Sequence, residues 1–247
     1  MPQEAGASQH LTARYREPWS SKKGTVALRS VIFDLDGTLA DTSRDLIAAA
    51  NACFRSEGLG DLLDPEQDGA TALRGGRAML TLGFSRVTGF GPGDINRLYP
   101  SLLAHYGADI ARHTRLYPGA MDAVARLADR GYAVGICTNK PAALAEALLE
   151  ALGVRGAFGA LVGADTLPVR KPDPAPLWET VRRLGGDPSR TCLVGDSDTD
   201  RRTAAAAGCP SILVTFGPDG SAMAALEPEA LIGHFDELPD TVESLAL

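Results

Sequence analysis

The chain has 247 residues and a formal net charge of -7, which is room for one large domain or for a domain carrying a smaller insertion. Its acidic balance, with a pI near 5.1, excludes the basic face that nucleic-acid binding needs. Cysteines at 53, 137, 192 and 209 form no CxxC pair and no metal spacing with the histidines, so they read as core packing in a reducing, cytoplasmic setting. No apolar run approaches the roughly 18 residues of a membrane span.

Residues 1–28 are polar and mixed in charge, without an apolar signal region, and read as a flexible tail. The stretch "VIFDLDGTLADT" at 31–42 then predicts a buried parallel strand, nearly continuously apolar because both faces are covered. Asp34 and Asp36 stand at its end, two apart, so strand periodicity aims them the same way. Two acids at the lip of a core cost free energy unless something compensates, most simply a cation. "TSRDLIAAANACFRSEG" predicts a capped helix ended by Gly58, and Asp41 and Thr42 read as its start. Further helical pieces follow in "GGRAMLTLGF" and "DINRLYPSLLAHYGADIARH", with no convincing strand before residue 115.

From "YPGAMDAVARLADRG" onward strands and helices alternate. "YAVGICTN" is a strand, and Pro141 is expected in the first turn of the helix "PAALAEALLEALG". "GALVGAD" (strand), "APLWETVRRLGG" (helix), "RTCLVGD" (strand), "DRRTAAAAG" (helix) and "PSILVTF" (strand) follow, and "EALIGHFDELPDTVESL" adds a last strand and helix. This alternation predicts an α/β fold, a doubly wound parallel sheet of Rossmann-like type. The expected division is a core of residues 29–42 and 115–247 with an inserted α-helical cap at 43–114.

In open parallel sheets ligands bind beyond the carboxyl ends of the strands. Three strands here end in polar groups: Asp34 and Asp36 with Gly37-Thr38, then Thr138-Asn139-Lys140, then Asp196 followed by Ser197, Asp198, Thr199 and Asp200. Lys171 stands in the loop "RKPDP". Several carboxylates, a hydroxyl and a lysine pooled at one edge suit a hard cation such as Mg²⁺ and a phosphate.

Taken in order, "DLDGT", "CTNK", the lysine of "RKPDP" and "GDSDTD" resemble the four motifs of the haloacid dehalogenase superfamily, within it the phosphoglycolate phosphatase-like group. The resemblance runs from about residue 30 to the C-terminus. It implies a phosphomonoester hydrolase, a helical cap on the sheet, Mg²⁺ as cofactor and 2-phosphoglycolate as substrate. It implies that Asp34 attacks phosphorus to give an aspartyl-phosphate, and that Asp36 protonates the leaving alkoxide. It implies that the Asp34 carboxylate, the Asp36 carbonyl and Asp196 hold the metal, and that Thr138 and Lys171 bind phosphoryl oxygens near Asn139. Asp200 is either a support for the metal site or a helix N-terminal charge favoured by the dipole; Asp198 reads as the latter.

Neighbouring chemistries separate on single residues. Transport ATPases carry Lys-Thr where this chain has Leu35-Asp36, and true dehalogenases lack the acid at Asp36. Receiver domains have no use for a helical insertion of this size. "DSDTD" begins like a calcium loop but has Arg201 at the sixth position and Ala207 at the twelfth. Alternatives that remain are a sibling phosphatase for another sugar or nucleoside phosphate, a phosphoglucomutase-type isomerase, and a phospho-Asp switch without turnover.

Within the cap, Arg74, Gly76 and Arg77 surround a Gly-rich turn opening a helix. They read either as a carboxylate site for the substrate or as a solvated face. His105 and His113 read as surface or packing residues. The expected partner is a small phosphorylated metabolite, with no nucleic acid and no membrane, handled by a monomer or homodimer.

Overall fold

The computed structural model describes residues 28–247. The tail expected at 1–28 lies outside the described residues except for Leu28, where the first strand, β1 (Leu28–Phe33), begins. A two-residue strand β2 (Ala40–Asp41) leads into four helices: α1 (Ser43–Ser56), α2 (Gly69–Leu73), α3 (Gly76–Ser85) and α4 (Pro92–Ala108). The short strand β3 (Arg115–Leu116) returns antiparallel to β2, so both ends of the helical segment cross at one ladder. The remaining strands and α-helices are α5 (Ala120–Asp129), β4 (Ala133–Cys137), α6 (Ala142–Ala151), β5 (Ala160–Val162), α7 (Ala175–Leu184), β6 (Gly186–Gly195), α8 (Asp198–Ala207), β7 (Ser211–Val214), β8 (Ala230–Ile232) and α9 (Leu238–Ser244).

The six longer strands form one sheet in the order β5-β4-β1-β6-β7-β8, parallel throughout. From β1 the chain builds outward on one side through β4 and β5, then crosses to build outward on the other. That reversal places the switch point, where open sheets bind ligands, beside β1. Strand periodicity explains the two packed faces. Val31, Phe33 and Leu35 join Val124 and Leu127 of α5, Leu148 of α6 and Val242 of α9 in one buried cluster. Ile32, between them in sequence, faces the opposite way toward Leu177 and Val181 of α7 and Ala204 of α8. Each such fully buried side chain contributes about 1.5–3 kcal/mol relative to exposure.

The helices α1 to α4 bury a separate set that includes Ile47, Phe54, Met79, Leu80, Leu102 and Tyr106. Asp45 anchors the return of the chain. Its carboxylate accepts from the backbone N–H groups of His113 and Thr114 and from the Thr114 hydroxyl at 2.8–3.0 Å.

Three local expectations need correction. The helix expected to reach residue 113 ends at Ala108, because Asp109 leaves helical geometry at φ -142°. Pro141 precedes α6, with ψ 137° carrying the extended strand exit into the helix, and does not stand in its first turn. The helix expected to begin near residue 200 starts at Asp198, where the Ser197 hydroxyl accepts from the Asp200 N–H as a cap. The five-residue α2 was not expected.

Candidate active site

β1 lies between β4 and β6, so the carboxyl ends of these three strands bring their terminal residues together. The Asp34 N–H continues the ladder to the Val194 carbonyl at 2.9 Å. Beyond it the backbone folds back, with the Leu39 N–H on the Leu35 carbonyl at 3.0 Å and the Gly37 N–H on the Ala40 carbonyl at 2.9 Å. Gly37 makes this turn at φ +83°, and a Cβ there would stand 2.3 Å from Asp196 Oδ2. Gly37→Ala should therefore lower Tm by about 3–8 °C from the left-handed backbone and the displaced carboxylate. Thermal melting reads the change.

Two charged groups result. In the first, Lys171 stands between carboxylates, with Nζ 2.6 Å from Asp200 Oδ1 and 3.1 Å from Asp34 Oδ1. The Lys171–Asp34 contact is an ion pair without hydrogen-bond geometry, so Asp34 Oδ1 is buried with no hydrogen-bond partner. Asp196 lies beside them, accepting from the Thr38 hydroxyl at 2.7 Å, and the Ser197 hydroxyl reaches Asp200 Oδ2 at 2.5 Å. Burial pushes the Asp34 carboxyl up to about 6, with Lys171 pulling it back and Asp200 and Asp36 adding to the rise. Burial, then the charges of Asp200 and Asp34, push Asp196 well above the usual carboxylate range. Burial opposes charge on Lys171, but Asp200 and Asp34 overcome it and hold the ammonium protonated.

With all three carboxyls ionised, one ammonium would leave two negative charges in excess at a nearly dry site, and the raised Asp34 and Asp196 carboxyls express that cost. Oxygens of Asp34, Asp196 and Asp200 lie within 4.8 Å of one another. This all-oxygen donor set and its uncompensated charge fit a hard divalent cation.

The second group centres on Asp36. Lys140 Nζ donates to both its carboxylate oxygens, at 2.7 and 2.8 Å, and the Thr42 hydroxyl donates to Oδ1 at 2.6 Å. Thr42 thus stands at the start of α1 as expected, but its hydroxyl is spent on Asp36. It is Asp41 that accepts from the Ser43 N–H, at 3.0 Å.

A cleft of about 220 Å³ separates these groups from the helical segment. Asp34, Asp36, Thr138, Asn139, Lys140, Lys171 and Asp196 line it from the sheet side. Arg74, Gly76, Tyr99, Leu102 and Tyr106 line it from the helices. Asp200 sits behind the lining, fully buried. Asn139 donates to the Lys171 carbonyl at 3.0 Å, tying the two loops. Of the two arginines singled out in the sequence, Arg74 borders the cleft and pairs with Asp219 at 3.1 Å. Arg77 turns away: it donates to Asn96 Oδ1 at 2.6 Å and lies over the Tyr99 ring at 4.7 Å. His105 and His113 border other pockets, away from this cleft.

A profile of the haloacid dehalogenase-like hydrolases matches residues 28–208. The chain belongs to that family. A phosphoglycolate phosphatase of Mesorhizobium japonicum is 42% identical over 216 residues, covering 86% of this chain and 93% of that protein. One of Agrobacterium fabrum is 39% identical over 210 residues, covering 84% and 89%. Among solved structures, a predicted phosphoglycolate phosphatase from Haemophilus somnus superposes with a TM-score of 0.76 at 24% identity. It covers 88% of this chain and 99% of its own. That likeness supports the fold: a doubly wound parallel sheet, as the sequence predicts. Sequence reasoning placed Lys140 at the sheet edge without giving it a role, and missed Thr42 and Tyr106 as site groups. The signal for Lys140 was available in its place directly after Thr138 and Asn139.

Among the described residues no helix is long and apolar enough to cross a membrane.

Proposed function

We propose that the protein is a Mg²⁺-dependent phosphatase that hydrolyses 2-phosphoglycolate through an aspartyl-phosphate on Asp34. The observation that carries this reading is the pairing of two differently served acids at one cleft. Asp34 sits in a cluster of three carboxyls served by one ammonium, with an Oδ1 that meets Lys171 but makes no hydrogen bond, whereas Asp36 is held by Lys140 and Thr42. The names of the relatives supply the substrate.

Asp34 attacks phosphorus through a carboxylate oxygen, and the bond from phosphorus to the alkoxide oxygen breaks. Asp36 gives that oxygen a proton, then takes one from the water that attacks the aspartyl-phosphate, which releases inorganic phosphate and restores both acids. Thr138 and Lys171 bind the phosphoryl oxygens that do not transfer. Asp34, the Asp36 carbonyl and Asp196 would hold Mg²⁺, with Asp200 steadying Lys171 and the site. The ion supplies positive charge that lets an anionic nucleophile approach a phosphate dianion.

For the glycolate carboxylate, Arg74 and the N-terminus of α3 at Gly76 face the cleft, and a helix N-terminus favours an anion. The Arg74 side chain is 65% exposed in its pair with Asp219. Such a pair is worth only about 0–1 kcal/mol, so a substrate carboxylate can displace it. Arg74→Ala should raise KM for phosphoglycolate about 10-fold and leave that for a neutral phosphate ester within about 2-fold. Equal effects on the two would remove Arg74 from substrate recognition.

The deciding experiment is phosphate release with Mg²⁺ across phosphoglycolate, sugar phosphates and nucleotides. A kcat/KM preference for phosphoglycolate supports the reading. A preference for another ester keeps the chemistry and discards the substrate. Isomerised product without phosphate release replaces hydrolysis by a mutase reaction.

A further inference from the structure

Lys140 is a buried charge to which the sequence assigned no role. Its side chain is 3% exposed, and an ammonium so placed needs full compensation. Two of its directions are met by the Asp36 carboxylate. A third is met by the ring face of Tyr106, whose centroid lies 4.4 Å from Nζ. Tyr106 is carried by α4, on the far side of the cleft from Asp36, and is itself buried. Its hydroxyl has no hydrogen-bond partner, so no bond of its own ties the ring down. The ring's partners are the apolar side chains around it and Lys140.

We infer that Tyr106 is a positioning residue for the leaving-group acid: the ring fixes the Lys140 ammonium, and Lys140 fixes the Asp36 carboxylate. This rests on the reading above that Asp36 protonates the leaving alkoxide. The helical segment thereby serves the chemical step as well as the shape of the cleft. Lys140 cannot leave Asp36 for water, because the ring closes that side. Nor can the carboxylate turn freely, because both its oxygens are held by one ammonium. A desolvated cation over an aromatic face is a strong contact, and a general acid loses its advantage when its aim is lost.

The proposal makes a prediction that packing alone does not. An alkyl leaving group needs the proton from Asp36, whereas 4-nitrophenolate leaves without one. In Tyr106→Leu, kcat for the best alkyl phosphate of the panel should fall about 10- to 100-fold with KM little changed. Release of 4-nitrophenolate in the first turnover, before the aspartyl-phosphate has to be hydrolysed with Asp36 as base, should slow no more than about 3-fold. Tyr106→Phe keeps the ring and should recover most of the alkyl-phosphate kcat. Pentafluorophenylalanine at position 106 keeps the shape but removes the negative ring face, and should reproduce the selective loss even if the leucine variant folds poorly. Equal slowing of the first turnover with both esters, or full activity with the fluorinated ring, would overturn the inference. A Tyr106→Phe defect confined to KM would instead assign the hydroxyl to substrate and overturn it as well. Asp36→Asn run beside these variants separates the two layers. If it spares the alkyl ester, the acid assignment fails; if it shows the selective loss and the Tyr106 variants do not, only the relay fails.

Discussion

Asp34→Asn is expected to abolish phosphate release, by about 10⁴-fold or more in kcat, while the protein folds normally. A carboxamide cannot displace the alkoxide to form an acyl phosphate, so the first step has no nucleophile. Stability should move the other way. Asp34 is half-buried beside Lys171 with the buried carboxyls of Asp196 and Asp200, and its carboxyl oxygen Oδ1 makes no hydrogen bond. Asn removes a carboxyl whose ionisation burial and its neighbours oppose, while Lys171 keeps its 2.6 Å contact to Asp200. Tm without Mg²⁺ should therefore stay level or rise, and the stabilisation by added Mg²⁺ should shrink, since one of its oxygens is gone. Acid quenching of the unaltered enzyme during turnover should trap one phosphoryl group per chain, and the variant should trap none. Activity within about 10-fold of the starting level would assign the attack elsewhere.

How much of this was legible in the sequence depends on the range of the interaction involved. The sheet was, because a strand buried on both faces leaves a local record: Val31, Ile32 and Phe33 are all apolar, and the alternation with helices after residue 117 has one economical solution. The sheet-side half of the site followed, since strand ends converge wherever a parallel sheet is wound. The insertion was less legible. Arg74 and Arg77 look equivalent in a Gly-rich turn, but Gly75, at φ +99°, begins a new helix between them. Three residues further on, Arg77 is rotated onto Tyr99 and Asn96, and only Arg74 borders the cleft. Tyr106 carries no sequence signal for its contact with Lys140, because helical spacing marks it simply as a core position of α4. What joins it to Asp36 is the docking of two elements, 70 residues apart along the chain, and nothing in local periodicity encodes that. Helix ends were missed where a side chain decides them, as with the Ser197 cap that starts α8 at Asp198.

Lys171→Met should be the most damaging substitution for stability. Among the described residues Lys171 is the one cation in contact with Asp34 and Asp200, and its side chain is 1% exposed. Methionine fills nearly the same volume, so packing loss is small and the effect reports charge. Removing one partner of a buried pair costs about 3–5 kcal/mol, because the other charge is left without solvent or partner. In a chain of this size each kcal/mol moves Tm by about 2–4 °C, so a fall of about 6–20 °C is expected in EDTA. Two controls identify the cause. Asp200→Asn placed in the same chain should recover much of the loss, because the lysine and its nearest carboxylate then disappear together. Added Mg²⁺ should also recover part of it, and by more than it stabilises the unaltered protein, since the cluster then has no other cation. A fall of only a degree or two would mean that the carboxylates carry little charge in the folded protein. In that case the argument for a divalent cation from their proximity would lose its physical basis. A large fall with no response to Mg²⁺ would separate the two roles, leaving Lys171 as the structural counter-charge and removing the metal from Asp34 and Asp196.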